Sequence, residues 1–201
     1  KFTLTLAFAS VVASGAAQEV AQPSKFSVET NSFGSNWFVD LGLGYNAAYT
    51  SQEHGVTANP FSHKRGSWGV NAAVCKWFSP EIGLRMAGEF GWTKNTSGSR
   101  HFEHPATNYM HLHGDVLLNL TNLLKGYEAE RFWNMSPYAG LGMIRNFDDN
   151  VNKLAVSVGV HNTFRLTSRL NAFADLQMLM TNSGLLGPKG NNGSSILAFN
   201  H

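Results

Sequence analysis

Trp37-Phe38-Val39-Asp40-Leu41-Gly42-Leu43-Gly44-Tyr45-Asn46-Ala47-Ala48-Tyr49 is the stretch on which the reading of this chain turns. Trp37, Val39, Leu41, Leu43, Tyr45, Ala47 and Tyr49 fall on one face of an extended segment; Asp40, Gly42, Gly44, Asn46 and Ala48 fall on the other. Side chains alternate sides along a strand, so the spacing predicts a strand with one greasy face and one small or polar face.

The same period recurs. Trp68, Val70, Ala72 and Val74 oppose Gly69, Asn71, Ala73 and Cys75; Ile82, Leu84, Met86, Phe90 and Trp92 oppose Gly83, Arg85, Ala87, Glu89 and Gly91. Between these two runs stand Trp77, Phe78, Ser79, Pro80 and Glu81, turn chemistry that predicts a hairpin. A fourth run sets Met110, Leu112, Val116, Leu118 and Leu120 against His111, His113, Asp115, Leu117 and Asn119. The fifth, residues 136–145, sets Ala139, Leu141 and Met143 against Tyr138, Gly140 and Gly142. Leu154, Val156, Val158 and Val160 oppose Ser157, Gly159, His161 and Thr163 in the sixth. Ala172, Ala174, Leu176, Met178 and Met180 oppose Asn171, Phe173, Asp175 and Gln177 in the seventh, and an eighth opens at Ser194.

Alternation alone also suits a soluble sandwich or a lipocalin-like binding barrel, so the chemistry of the two faces decides. The non-aliphatic face carries Asp40, Arg85, Glu89, His111, His113, Asp115, Arg165 and Asp175. That is too much ionisable chemistry for an apolar ligand cavity, but it suits a paired, hydrated barrel interior. The aliphatic face is then expected to meet lipid. Trp37, Tyr49, Trp68, Trp77, Phe78, Trp92, Tyr109 and Trp133 lie toward strand ends, where interfacial aromatic girdles belong.

The expected fold is all-β: an eight-stranded antiparallel up-and-down transmembrane β-barrel over residues 36–201, its last strand truncated at His201. Charged residues make up 14% of the chain and aromatics 12%, a balance foreign to disorder and to an ordinary enzyme surface. The net charge of +2 is spread, with His63, Lys64 and Arg65 the one compact basic cluster, which speaks against nucleic acid as a partner. A single cysteine, Cys75, excludes an intramolecular disulfide. Lys1, the apolar run from Phe2 to Val12 and the small residues up to Ala17 read as a signal peptide over residues 1–17. Residues 18–35 read as a periplasmic lead-in. Connections at 50–66, 94–106, 148–153 and 182–193 are expected outside the cell, against short turns at 79–81 and 167–169. The segment 122–134 breaks this alternation of lengths and reads as a short periplasmic helix or a strand extension.

Four runs carry a resemblance: Asn-Trp-Phe-Val from 36, Lys-Trp-Phe-Ser-Pro-Glu-Ile-Gly-Leu-Arg from 76, Leu-His-Gly-Asp-Val-Leu-Leu-Asn-Leu-Thr-Asn-Leu from 112, and Arg-Phe-Trp-Asn-Met-Ser-Pro-Tyr-Ala-Gly-Leu-Gly from 131. Over most of the chain from Asn36 these resemble the N-terminal barrel of OmpA-like outer-membrane proteins of Gram-negative bacteria. The resemblance implies an eight-stranded barrel, often followed by a periplasmic domain that binds peptidoglycan. No peptidoglycan-binding residue of that domain can be carried onto this chain.

His111, His113 and Asp115 stand at two-residue spacing and could present three metal ligands, but a lumenal hydrogen-bonded network with Arg85, Glu89 and Asp175 is the preferred reading. No metal, cofactor or catalytic residue is therefore expected. The functional expectation is a non-enzymatic outer-membrane protein that stabilises the envelope and displays surface loops, with outer-membrane lipid and lipopolysaccharide around it. Peptidoglycan is its expected partner through a missing C-terminal domain. A small nonspecific pore, controlled by Arg85 and Glu89, is the nearest variant. A lipid-modifying barrel enzyme of the lipid A deacylase type and a soluble lipocalin-like barrel are the alternatives.

Overall fold

A computed structural model of the chain describes residues 10–13, 33–49, 66–94, 106–148, 150–181 and 196–199. Seven long strands follow one another: β2 (Trp37–Tyr49), β3 (Gly66–Trp77), β4 (Ile82–Lys94), β5 (Ala106–Leu118), β6 (Trp133–Asn146), β7 (Val151–Arg165) and β8 (Leu170–Thr181). Each pairs antiparallel with the next, the simplest up-and-down order. Each holds 12 to 15 residues, more than the roughly 9–11 that a tilted strand needs to cross the hydrocarbon of a bilayer.

Two four-residue strands complete the sheet: β1 (Ser10–Ala13) pairs with Leu170–Phe173 of β8, and β9 (Ile196–Phe199) pairs with both β2 and β8. Apart from β1 and residues 33–35, the predicted signal peptide and lead-in lie outside the described residues, as do most of the connections expected outside the cell.

At the turn end, Phe78 and Ser79 donate their amides to the Ile82 carbonyl, and Leu166 and Thr167 donate theirs to the Leu170 carbonyl, closing both connections within a few residues. The predicted fourth strand runs to Leu120, but β5 stops at Leu118. Asn119 breaks it, its Oδ1 accepting the Asn122 amide at 2.9 Å as the N-cap of a short helix α1 (Leu120–Lys125). Gly126, at φ 79°, ends the helix. Arg131 then ties this turn together, donating to Asn122 Oδ1 and to the Gly126 carbonyl. Leu120 therefore belongs to the helix rather than to a lipid-facing strand.

Polar groups occupy the inside of this barrel. On β4, Leu84 and Met86 are exposed while Arg85 and Glu89 are buried. The pattern repeats around the sheet, with Leu41 58% exposed, Leu141 64% and Leu154 71%, against buried Asp40, Asp115, His161 and Asp175. Leu84 and Leu118 point outward and Leu176 is half-buried. A water-soluble protein would leave this aliphatic belt in contact with solvent, whereas a hydrocarbon surround buries it. Trp37, Phe78 and Trp133 lie at the turn end and Tyr45, Trp68, Phe90 and Trp92 toward the other, the loop end, whereas Trp77, expected in the girdle, falls on the inward row with Cys75 and stacks on Phe38. Tyr109 is a correction to the expected girdle: it points inward, fully buried, its hydroxyl accepting from Asn46 Nδ2 at 2.6 Å.

Candidate functional site

Strand register assembles the lumen. Arg85 lies opposite Asp115, Glu89 opposite His111 and His161 opposite Asp175, so inward residues from neighbouring strands meet at the same height. Arg85 is the hub. Its Nε donates to Asp115 Oδ2 at 2.7 Å and its Nη1 to Asp175 Oδ2 at 2.6 Å, joining β4 to β5 and, across the barrel, to β8. The guanidinium carbon lies 4.1 Å from the centre of the Tyr138 ring, whose hydroxyl donates to Asp175 Oδ1 at 2.9 Å. Ser157 donates its hydroxyl to Asp115 Oδ1, and the Cys75 thiol donates to Asp40 Oδ2. His161 Nδ1 lies 3.4 Å from Asp175 Oδ2, and its Nε2 lies 3.9 Å from Asp40 Oδ2.

A second cluster sits one step toward the loop end. His111 and His113, two residues apart on β5, stack with ring centres 4.4 Å apart and planes 7° from parallel. Glu89 reaches both imidazoles, at 3.4 Å from His111 Nδ1 and 3.7 Å from His113 Nε2. His113 Nδ1 lies 2.8 Å from Asp115 Oδ1, which links this cluster to the Arg85 hub. At the turn end Lys76, on the outward-facing row with Trp37 and Leu84, donates to the carbonyls of Phe33 and Ser35 at 2.8 and 2.7 Å, holding residues 33–35 against the rim.

Of the eight residues expected to form a lumenal charge network, the structure brings together Asp40, Arg85, Glu89, His111, His113, Asp115 and Asp175. Arg165 is a correction. It stands at the rim of the turn end, 3.5 Å from the exposed Glu130 and bonded to the Ala129 carbonyl. It is the last residue of β7, and a long side chain at a strand end reaches water more easily than the core. Tyr138, Ser157 and His161 were legible on the inward face, but their place in the network needs register across strands, which the period of one strand does not supply.

Glycine makes this packing possible. A Cβ added at Gly140 would collide with Asp115 Oδ1 and lie 2.5 Å from the Gly114 carbonyl oxygen. Gly140→Ala is therefore expected to displace Asp115 from Arg85 and to cost about 1–3 kcal/mol, read as a lower urea midpoint of the folded barrel. An unchanged midpoint would show that the Asp115 carboxylate has room to move.

No family model matches the chain. It is 28% identical over 161 residues to Outer membrane protein 41 of Porphyromonas gingivalis, a match covering 77% of this chain and 40% of that protein's length. The crystal structure of Ail, the attachment invasion locus protein of Yersinia pestis, aligns with 82% of this chain and 94% of its own, at 12% identity and a TM-score of 0.39. With its aliphatic belt outside, its ionisable groups enclosed and the Porphyromonas outer-membrane protein as a relative, the chain is located in the bacterial outer membrane.

Proposed function

We propose that this outer-membrane β-barrel protein does structural work, as an eight-stranded OmpA-like barrel in which β9 belongs to the closing strand. On this reading the aliphatic belt holds it among outer-membrane lipid and lipopolysaccharide, and the loop end presents its connections to the outside. A link to peptidoglycan would come from elsewhere in a longer protein; the chain spans about two-fifths of the Porphyromonas relative.

The filled lumen is the observation that carries this reading. Two small spaces among the described lumenal residues measure about 10 and 20 Å³, room for about one water each. Buried side chains held by ion pairs pack around them, a plug that supports the wall and obstructs solutes. Catalysis is not part of this proposal. Ser157 donates its hydroxyl to Asp115, a carboxylate already engaged by Arg85 and His113.

Liposomes loaded with a sugar osmolyte and carrying the barrel should swell no faster than protein-free vesicles, followed by light scattering. Swelling at the rate of an open porin would overturn the structural reading in favour of a channel. Cells lacking the protein should leak periplasmic enzymes and lose resistance to detergent; an intact envelope would equally count against it.

A further inference from the structure

We propose that Glu89, His111 and His113 form a lumenal binding site for one divalent first-row transition cation, with Zn²⁺ the best match. The sequence alone suggests His111, His113 and Asp115 as a ligand set, and the structure rearranges it. Asp115 is engaged by Arg85, and its other oxygen faces the far nitrogen of His113. The third donor comes from the neighbouring strand, where Glu89 lies in register with His111.

The donor atoms of these three residues all lie within 4.8 Å of one another. Around a tetrahedral zinc with bonds of about 2.1 Å, ligand atoms stand about 3.4 Å apart. The carboxylate of Glu89 already lies 3.4 Å from His111 Nδ1 and 3.7 Å from His113 Nε2, so rotations that open the stacked imidazoles toward a shared point complete a three-donor face. Two imidazoles and one carboxylate suit the borderline ions from iron to zinc and not Ca²⁺ or Mg²⁺, which prefer oxygen alone.

Two further observations point to a ligand. Nε2 of His113, the nitrogen turned toward Glu89, is buried and without a hydrogen-bond partner among the described residues. A buried nitrogen left unsatisfied is costly, and a metal bond satisfies it. Asp115, at 2.8 Å from His113 Nδ1, is placed to accept the N–H of that nitrogen, the carboxylate support that fixes the ring and leaves the opposite nitrogen to coordinate. Both lumenal voids are lined by Glu89, which gives space for water as the remaining ligand. Among the described residues the carboxylates of Asp40, Glu89, Asp115 and Asp175 are all buried inside the barrel with Arg85, a setting that favours an added cation.

The test uses the full chain in detergent, stripped with EDTA and titrated with Co²⁺ alone, then with Zn²⁺ in competition. One equivalent of Co²⁺ should bind, with the intense visible bands of low-coordinate Co(II), and Zn²⁺ should displace it. His111→Gln with His113→Gln should abolish the bands. Asp115→Asn should weaken binding about 10–100-fold, and His161→Gln should leave it unchanged. Heat-modifiable gel mobility reports whether each variant is folded; if the double variant is not, Glu89→Gln and His113→Gln singly are read in its place. No saturable uptake by the folded wild type overturns the proposal. So does uptake that survives loss of the cluster, which would assign the metal to His54, His63, His101 and His104 in the connections.

Discussion

Arg85→Met is expected to lower the stability of the folded barrel by about 3–5 kcal/mol, the largest loss from any single lumenal change. Arg85 is buried and bonds two carboxylates from different strands, so its removal leaves Asp115 and Asp175 enclosed without their cation. Methionine fills similar volume, which separates the loss of charge from the loss of packing. Urea titration in vesicles, read by the heat-modifiable gel shift, measures the effect. Adding Asp115→Asn and Asp175→Asn should recover much of the loss, because neutral amides do not require the cation. A shift below about 1 kcal/mol for Arg85→Met would mean that water reaches the carboxylates, and the plugged lumen would be wrong.

Met86→Arg should be comparably damaging for the opposite reason. Met86 follows Arg85 on β4 but points outward, 71% exposed and midway between the aromatic residues at the two ends. At that depth an arginine on the lipid face costs about 2–4 kcal/mol, falling to about 0–1 near the interface, so Ile82→Arg at the start of β4 should be far milder. Both variants are compared with wild type in lipid vesicles by the same titration. Equal, small effects at the two positions would remove the hydrocarbon surround from the account.

Much of this fold was legible because its signal is local. A two-residue period announces a strand wherever it occurs, and charges on the non-aliphatic face announce which side is enclosed. Failures came where an element ends. Leu120 continues the period of β5, yet Asn119 caps a helix there, since its short amide side chain reaches the Asn122 amide and competes with the sheet ladder. Arg165 and Tyr109 failed for a related reason. Near a barrel mouth the assignment of a long side chain to lumen, rim or girdle depends on how neighbouring strands are staggered. The cluster of Glu89 with His111 and His113 was half visible. Spacing shows the two histidines, but the carboxylate arrives from another strand, and only the register of β4 against β5 selects Glu89 over Asp115.

The bonds of Arg85 to β5 and β8 also act as a key for alignment. Shifting any one of these strands by a single residue would turn its carboxylate or guanidinium into the lipid and an aliphatic chain into the plug. A slipped barrel would thus be penalised twice, on its outer surface and at its centre. The correct stagger is proofread by electrostatics, although a flat aliphatic exterior would tolerate many alternatives.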